Sequence, residues 1–303
     1  MALAYVSFAA PEGSVGEIAG HVIDGLTGKG IARARVVVTA SGEDRMILLT
    51  DDEGAFRVRN LPATRINIWA QRNGYLGYPD GSSAQESVTQ VVMSATADAP
   101  TALTLKLTPQ CVIEGKAATE KGASVALVRL WTRKVDGTAV VHGEMKVDRK
   151  GEFRFASLAA GRYYLDVSSL PALSSPITNP VYLRRFYKEE TTLQTATAID
   201  VQAGQTKSVS ILLQSSQGRR IRGRIASAPP NAFISLHFPD NATQLAISSW
   251  DNKTGTFAFS DIPPGNYVLD ANWNADGRSF RASMPLTVSD TDLDGILLAP
   301  SVP

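Results

Sequence analysis

A chain of 303 residues with 44% apolar side chains is long enough for two or three modules, each with its own core, which excludes wholesale disorder. The 30 Lys and Arg against 29 Asp and Glu leave a formal net charge of +1, so no field gathers nucleic acid or an anionic membrane surface. Cys111 is the single cysteine, ruling out an intramolecular disulfide and a thiolate metal cluster, and no stretch approaches the length of a membrane-spanning helix.

The apolar run from Ala2 to Ala10 ends on small residues, as the core of a secretory signal does, but lacks the basic residues that precede one. Residues 1–15 are read as a leader, either a strand-forming or disordered segment or a shortened signal. Beyond it one block of sequence occurs three times. In the first copy Ile18-x-Gly20-x-Val22 is an alternating strand centred on glycine, and Ala34-x-Val36-x-Val38 is a second. Asp51-Asp52-Glu53-Gly54 turns into Phe56-x-Val58, Leu61-Pro62 ends that strand, Ile66-x-Ile68-x-Ala70 follows, and Leu103-x-Leu105-x-Leu107 closes the block.

The second copy runs Ile113-x-Gly115-x-Ala117, Asp148-Arg149-Lys150-Gly151-x-Phe153-x-Phe155, Leu158-Ala159, Tyr163-x-Leu165-x-Val167 and Val209-x-Ile211-x-Leu213. The third runs Ile221-x-Gly223-x-Ile225, Asp251-Asn252-Lys253-Thr254-Gly255-x-Phe257-x-Phe259, Ile262-Pro263, Tyr267-x-Leu269-x-Ala271 and Ile296-x-Leu298. Period-2 alternation puts each of these residues on the face that a sandwich buries. The Asp accepts backbone hydrogen bonds in the turn, the Gly takes the positive φ, and the Phe opens the next strand facing inward. No segment shows a sustained 3.6-residue period, so helices are expected to be few and short. The prediction is an all-β protein of three tandem β-sandwich domains at 16–109, 110–215 and 216–303.

Gly20-His21-Val22-Ile23-Asp24, Thr27-Gly28, Ala34-Arg35-Val36, Thr50-Asp51-Asp52-Glu53-Gly54-Ala55-Phe56 and Gly74-Tyr75 together resemble the carboxypeptidase regulatory-like domain. The resemblance implies a prealbumin-like (transthyretin-like), Ig-like sandwich, close in fold to carbohydrate-binding sandwiches. It says little of activity, because such modules are accessories on enzymes, receptors and adhesins alike. The second copy lacks the Thr-Gly turn and carries an insertion containing Pro180-Val181-Tyr182-Leu183-Arg184-Arg185-Phe186-Tyr187, which resembles a segment of bacterial surface proteins with several such domains. The third copy is the shortest and most divergent.

His21, His142 and His237 are spread one per block, with no His-x-His or His-x₃-His pair for zinc. No Gly-x-Ser-x-Gly elbow or Gly-x-x-x-x-Gly-Lys loop occurs, so neither an enzyme nor a cofactor is expected. Asp51-Asp52-Glu53 becomes Asp148-Arg149-Lys150 in the second copy, which marks a solvated turn rather than a calcium loop. Lys116 is expected to point outward, away from any isopeptide partner.

The candidate contacts for a ligand or partner are aromatic or basic. Alternation puts Trp69 on an outer sheet face, whereas Tyr75, Tyr78, Trp250 and Trp273 fall at or near strand ends and loops. Arg184, Arg185 and Tyr187 stand in the inserted loop, read as solvated because Glu189-Glu190 follow. The expected function is that of a non-enzymatic, extracytoplasmic structural or interaction protein with a protein or polysaccharide partner, no nucleic acid and no membrane insertion. The alternatives are a carbohydrate-binding protein using exposed aromatics, and an accessory region of a surface enzyme or outer-membrane receptor system.

Overall fold

The computed structural model describes residues 5–7, 16–40, 45–61, 65–76, 89–92, 100–119, 122–123, 126–169, 181–226, 229, 231–275 and 278–299. Tyr78, Pro180 and most of the leader lie outside them. The described residues form six sheets of four or five strands and a two-stranded ribbon. Their helical content is a single 3₁₀ turn at Tyr187–Glu189, and no helix is long and apolar enough to cross a membrane. Two compact units result, one of residues 1–113, 156–161 and 201–207, the other of 114–155, 162–200 and 208–303.

In the first unit one sheet runs Tyr5–Ser7, Ala55–Leu61, Gly16–Asp24, Thr101–Leu107, and a second runs Met46–Leu49, Arg35–Ala40, Arg65–Gln71, Thr89–Val92. Their shared core contains the predicted inward residues, among them Ile18, Val22, Phe56, Val36, Val38 and Ile68. The leader contributes a strand, with Tyr5 paired in parallel to Arg57. Thr50 ties the turn to the core. Its buried hydroxyl donates to the Ile31 carbonyl (2.6 Å) and accepts from the Ala34 N–H (2.8 Å). Thr50→Val leaves both groups buried and unpaired, so a loss of about 2 kcal/mol is expected in chemical denaturation.

The last block repeats this plan. Ser249–Asp251, Thr256–Ile262, Arg219–Ile225 and Leu293–Leu298 form one sheet. Asn241–Ile247, Ala232–Phe238, Gly265–Ala275 and Arg278–Val288 form the other. Phe257, Phe259, Tyr267, Leu269 and Trp273 fill the core they share. In the middle block, Cys111–Thr119 pairs with Gly122–Ala123, Glu152–Leu158 and Thr206–Leu212. A further sheet there is built from Ala139–Lys146, Ala126–Arg133, Gly161–Ser169, Arg185–Phe186 and Ile199–Val201.

The repeated glycine has a steric cause. A Cβ on Gly20 would lie 2.1 Å from the Leu103 carbonyl oxygen and 2.9 Å from Cζ of Phe56, its cross-strand partner. On Gly115 it would lie 1.8 Å from the Val209 oxygen and 2.9 Å from Phe153, and on Gly223 2.4 Å from the Ile296 oxygen and 2.5 Å from Phe257. In each block the phenyl ring occupies the space that a side chain on the glycine would need.

The Asp-to-Gly turns also form as expected. The Asp51 carboxylate accepts from the N–H groups of Glu53 and Ala55, and Asp148 accepts from Lys150 and Glu152. Gly54, Gly151 and Gly255 take positive φ. One repeated feature lacks a sequence signal: Asn60, Ser157 and Asp261, each just before the strand-ending Leu or Ile, sit at φ 57, 57 and 58°. Three different side chains occupy this left-handed position, so no residue type marks it.

Candidate functional site

The inserted loop and the sheet beneath it hold the densest polar chemistry of the described residues. In the strand Ala126–Arg133 the six residues Ala126 to Trp131 are all buried, so both faces of this sheet are covered. Leu127, Arg129 and Trp131 face outward and pair with Ser168, Asp166 and Tyr164. The insertion supplies their cover through Phe186 and Leu193, which pack with Trp131 and Tyr164 in a small second core.

Asp166 lies at the centre and is fully buried. It accepts hydrogen bonds from the Trp131 indole (2.6 Å), Arg184 Nε (2.6 Å) and Arg129 Nη1 (3.3 Å). Arg129 also donates to Ser168 and lies 3.5 Å from Glu144. Arg184 reaches on to Asp240 of the third block at 2.7 Å, and its guanidinium stacks 4.3 Å from the ring centre of Phe238 and 4.7 Å from that of Phe186. Burial opposes the Arg184 charge, but the Asp166 and Asp240 carboxylates outweigh it and hold its pKa above the ordinary arginine value.

The expectation of a solvated loop is therefore corrected. Arg184 is only 11% exposed and joins the second block to the third. Arg185 is half-buried and donates to the Arg184 carbonyl and to Gln214 Oε1; Tyr187, also half-buried, lies in the 3₁₀ turn. Trp131 and Asp166 were not among the sequence candidates. The signal for them was the unbroken run Ala-Leu-Val-Arg-Leu-Trp, too apolar for a strand with one wet face.

The aromatic expectations also change. Trp273 does lie near the end of its strand, two residues before Ala275, but it is 4% exposed and stacks on Phe280 inside the third core. Trp69 does lie on an outer face, but it is 9% exposed, with Val37 beside it fully buried and Arg45 over its ring. Trp250 pairs with the inward Phe257 and packs half-buried against the core. These rings are not brought together.

Tyr75 is half-buried and donates to Asp24 Oδ2 at 2.9 Å. The Thr27 N–H, against slight desolvation, together with the Leu26 N–H and the Tyr75 hydroxyl, holds the Asp24 pKa below the usual carboxylate value. A depressed folded pKa gives a contribution that is complete above the unfolded value and lost as pH falls through the folded one. Asp24→Asn is accordingly expected to lower the first unit's stability at neutral pH and to leave it little changed near about pH 2, where the native carboxyl is protonated as well, so that the acid limb becomes flatter. Urea melts between pH 2 and 7 measure this.

His21 is exposed, His142 packs edge-on to Tyr163, and both ring nitrogens of His237 are engaged, by Asp270 and the Phe238 carbonyl. No group of three or more His, Cys, Asp or Glu among the described residues is placed to hold a metal ion. Lys116 is exposed, as its alternation implies. Beside the insertion a cleft of about 840 Å³ is lined by Arg133, Arg184, Arg185, Thr191 and Asp240 together with apolar residues.

Residues 17–108 match the family description of the carboxypeptidase regulatory-like domain. The chain is an all-β protein with such a domain at its N-terminal end. Among curated proteins none matches the chain. It is similar to the solved TIE protein of Bacillus anthracis (15% identity, 95% of this chain and 51% of that one, TM-score 0.28), so it spans about half the length of that protein. It is also similar to BcpA, the major pilin subunit of Bacillus cereus (12% identity, 94% and 99%, TM-score 0.28), and to GBS52, the minor pilin of Streptococcus agalactiae (12%, 71% and 95%, TM-score 0.27). At such TM-scores the likeness carries no functional argument.

Proposed function

We propose that the chain is a non-enzymatic extracytoplasmic interaction protein made of three tandem regulatory-like sandwich domains at 16–109, 110–215 and 216–303. The recurring pairs Gly20–Phe56, Gly115–Phe153 and Gly223–Phe257 support three copies of one scaffold. The observation that carries the functional reading is the Asp166–Arg184–Asp240 chain, in which one guanidinium of the insertion is bonded to a carboxylate of the second block and to one of the third. Such an arrangement holds surfaces in fixed register for a partner.

Sugar recognition by exposed rings is not favoured, because Trp69 and Trp273 are buried and Trp250 faces its core. Photo-crosslinking of the full chain in its native cells tests the proposal. A specific partner recovered in the extracytoplasmic fraction is the expected result. Purely cytoplasmic fractionation, or substrate turnover by the purified chain, overturns it.

A further inference from the structure

Two guanidiniums in the cleft beside the insertion have no carboxylate partner among the described residues. Arg133 donates to the carbonyls of Gly137 (3.4 Å) and Leu193 (3.2 Å), with its guanidinium 5.1 Å from the ring centre of Tyr164. Arg185 donates to the Arg184 carbonyl (3.1 Å) and Gln214 Oε1 (2.7 Å). Both are held by neutral oxygens, and neither forms an ion pair among the described residues. The carboxylate that does line the cleft, Asp240, is already bonded to Arg184. The cleft therefore keeps two guanidiniums, each held by neutral acceptors, and this positive charge favours an anionic group such as a carboxylate.

Its other walls set the rest of the ligand. Leu183, Leu193, Pro239 and Pro264 are apolar, and Thr191 adds an exposed hydroxyl. The volume of about 840 Å³ accommodates a few residues of peptide. A sugar ring would need an open aromatic face. The Tyr164 ring lies under Arg133, and Phe238 is stacked between Arg184 and Tyr267. We propose that this cleft binds an acidic peptide segment of a partner protein, with Arg133 and Arg185 on a carboxylate and the apolar walls on an adjacent apolar side chain. This rests on the reading of the chain as an interaction protein.

The test is calorimetric titration of the full chain with acetyl-Leu-Glu-Asp-Leu-amide, its Gln/Asn counterpart and trigalacturonate. The acidic peptide is expected to bind with an affinity that falls as salt rises, and its amide counterpart to bind at least about tenfold more weakly. The Arg133→Gln/Arg185→Gln variant is expected to lose at least about tenfold in affinity. Thr191→Glu changes an exposed side chain and is expected to do the same with unaltered melting, so it decides the matter if the double variant unfolds early. No binding of the acidic peptide, equal binding of both peptides, or tighter binding of trigalacturonate overturns the proposal. Silence of the peptide beside a crosslinked extracytoplasmic partner removes the cleft and leaves the scaffold reading; a chain without any partner removes the scaffold reading.

Discussion

Asp166→Ala is expected to lower the stability of the second unit by about 3–5 kcal/mol, because it strands buried positive charge. Arg129 and Arg184 are 1% and 11% exposed, and the Trp131 indole N–H is bonded to the same carboxylate. Glu144 remains near Arg129 and Asp240 near Arg184, but both lie nearer the surface and neither reaches the indole. Asp166→Asn keeps an acceptor for Trp131 while losing the charge, so its cost is expected to fall between that of Ala and none. Asp240→Asn, at a position 28% exposed, is expected to cost only about 1 kcal/mol. Guanidinium unfolding followed by tryptophan fluorescence orders the three variants. A loss under about 1 kcal/mol for Asp166→Ala would mean that water satisfies these cations and that the cluster does not join the blocks.

Gly115→Ala is the second large effect. The added methyl would stand 1.8 Å from the Val209 carbonyl oxygen, a backbone atom held in its sheet, and 2.9 Å from the Phe153 ring. Relief requires a strand to shift, and a cost of about 3 kcal/mol is expected. Gly143→Ala provides the contrast in the same block, since its methyl would meet only Phe155, at 3.6 Å, an ordinary contact. Alanine there is expected to change stability by less than about 0.5 kcal/mol, or to raise it slightly by restricting the unfolded chain. Paired thermal melts of the two variants check this. Equal melting temperatures would show that the glycine repeat has a cause other than steric contact.

Much of the scaffold was legible in residue order because its causes are local. Alternation in Ile66-x-Ile68-x-Ala70 names an inward face, and Asp51 and Gly54 specify a turn within four residues. The same locality explains the errors. Trp69 does leave its sandwich core, yet exposure depends on what lies over the sheet, which strand period does not encode. Trp273 lies near the end of a strand that runs to Ala275, and what buries it is the pairing with the next strand, which sets Phe280 against its ring within the third core.

The inserted segment shows this division most clearly. Its sequence, Arg184-Arg185-Phe186-Tyr187-Lys188-Glu189-Glu190, has the composition of a solvated loop, and by itself that composition is all it determined. Asp166 lies 18 residues away along the chain and Asp240 56 residues away, so the partners that neutralise Arg184 meet it only after the sheets have formed. The three-fold block, its glycine–phenylalanine pairs and its turns were determined by the sequence, because each is set by short-range sterics and hydrogen bonding. Which charges are buried, and which two guanidiniums remain to face a cleft, was decided by the tertiary structure, because desolvation and ion pairing depend on everything that surrounds a charge.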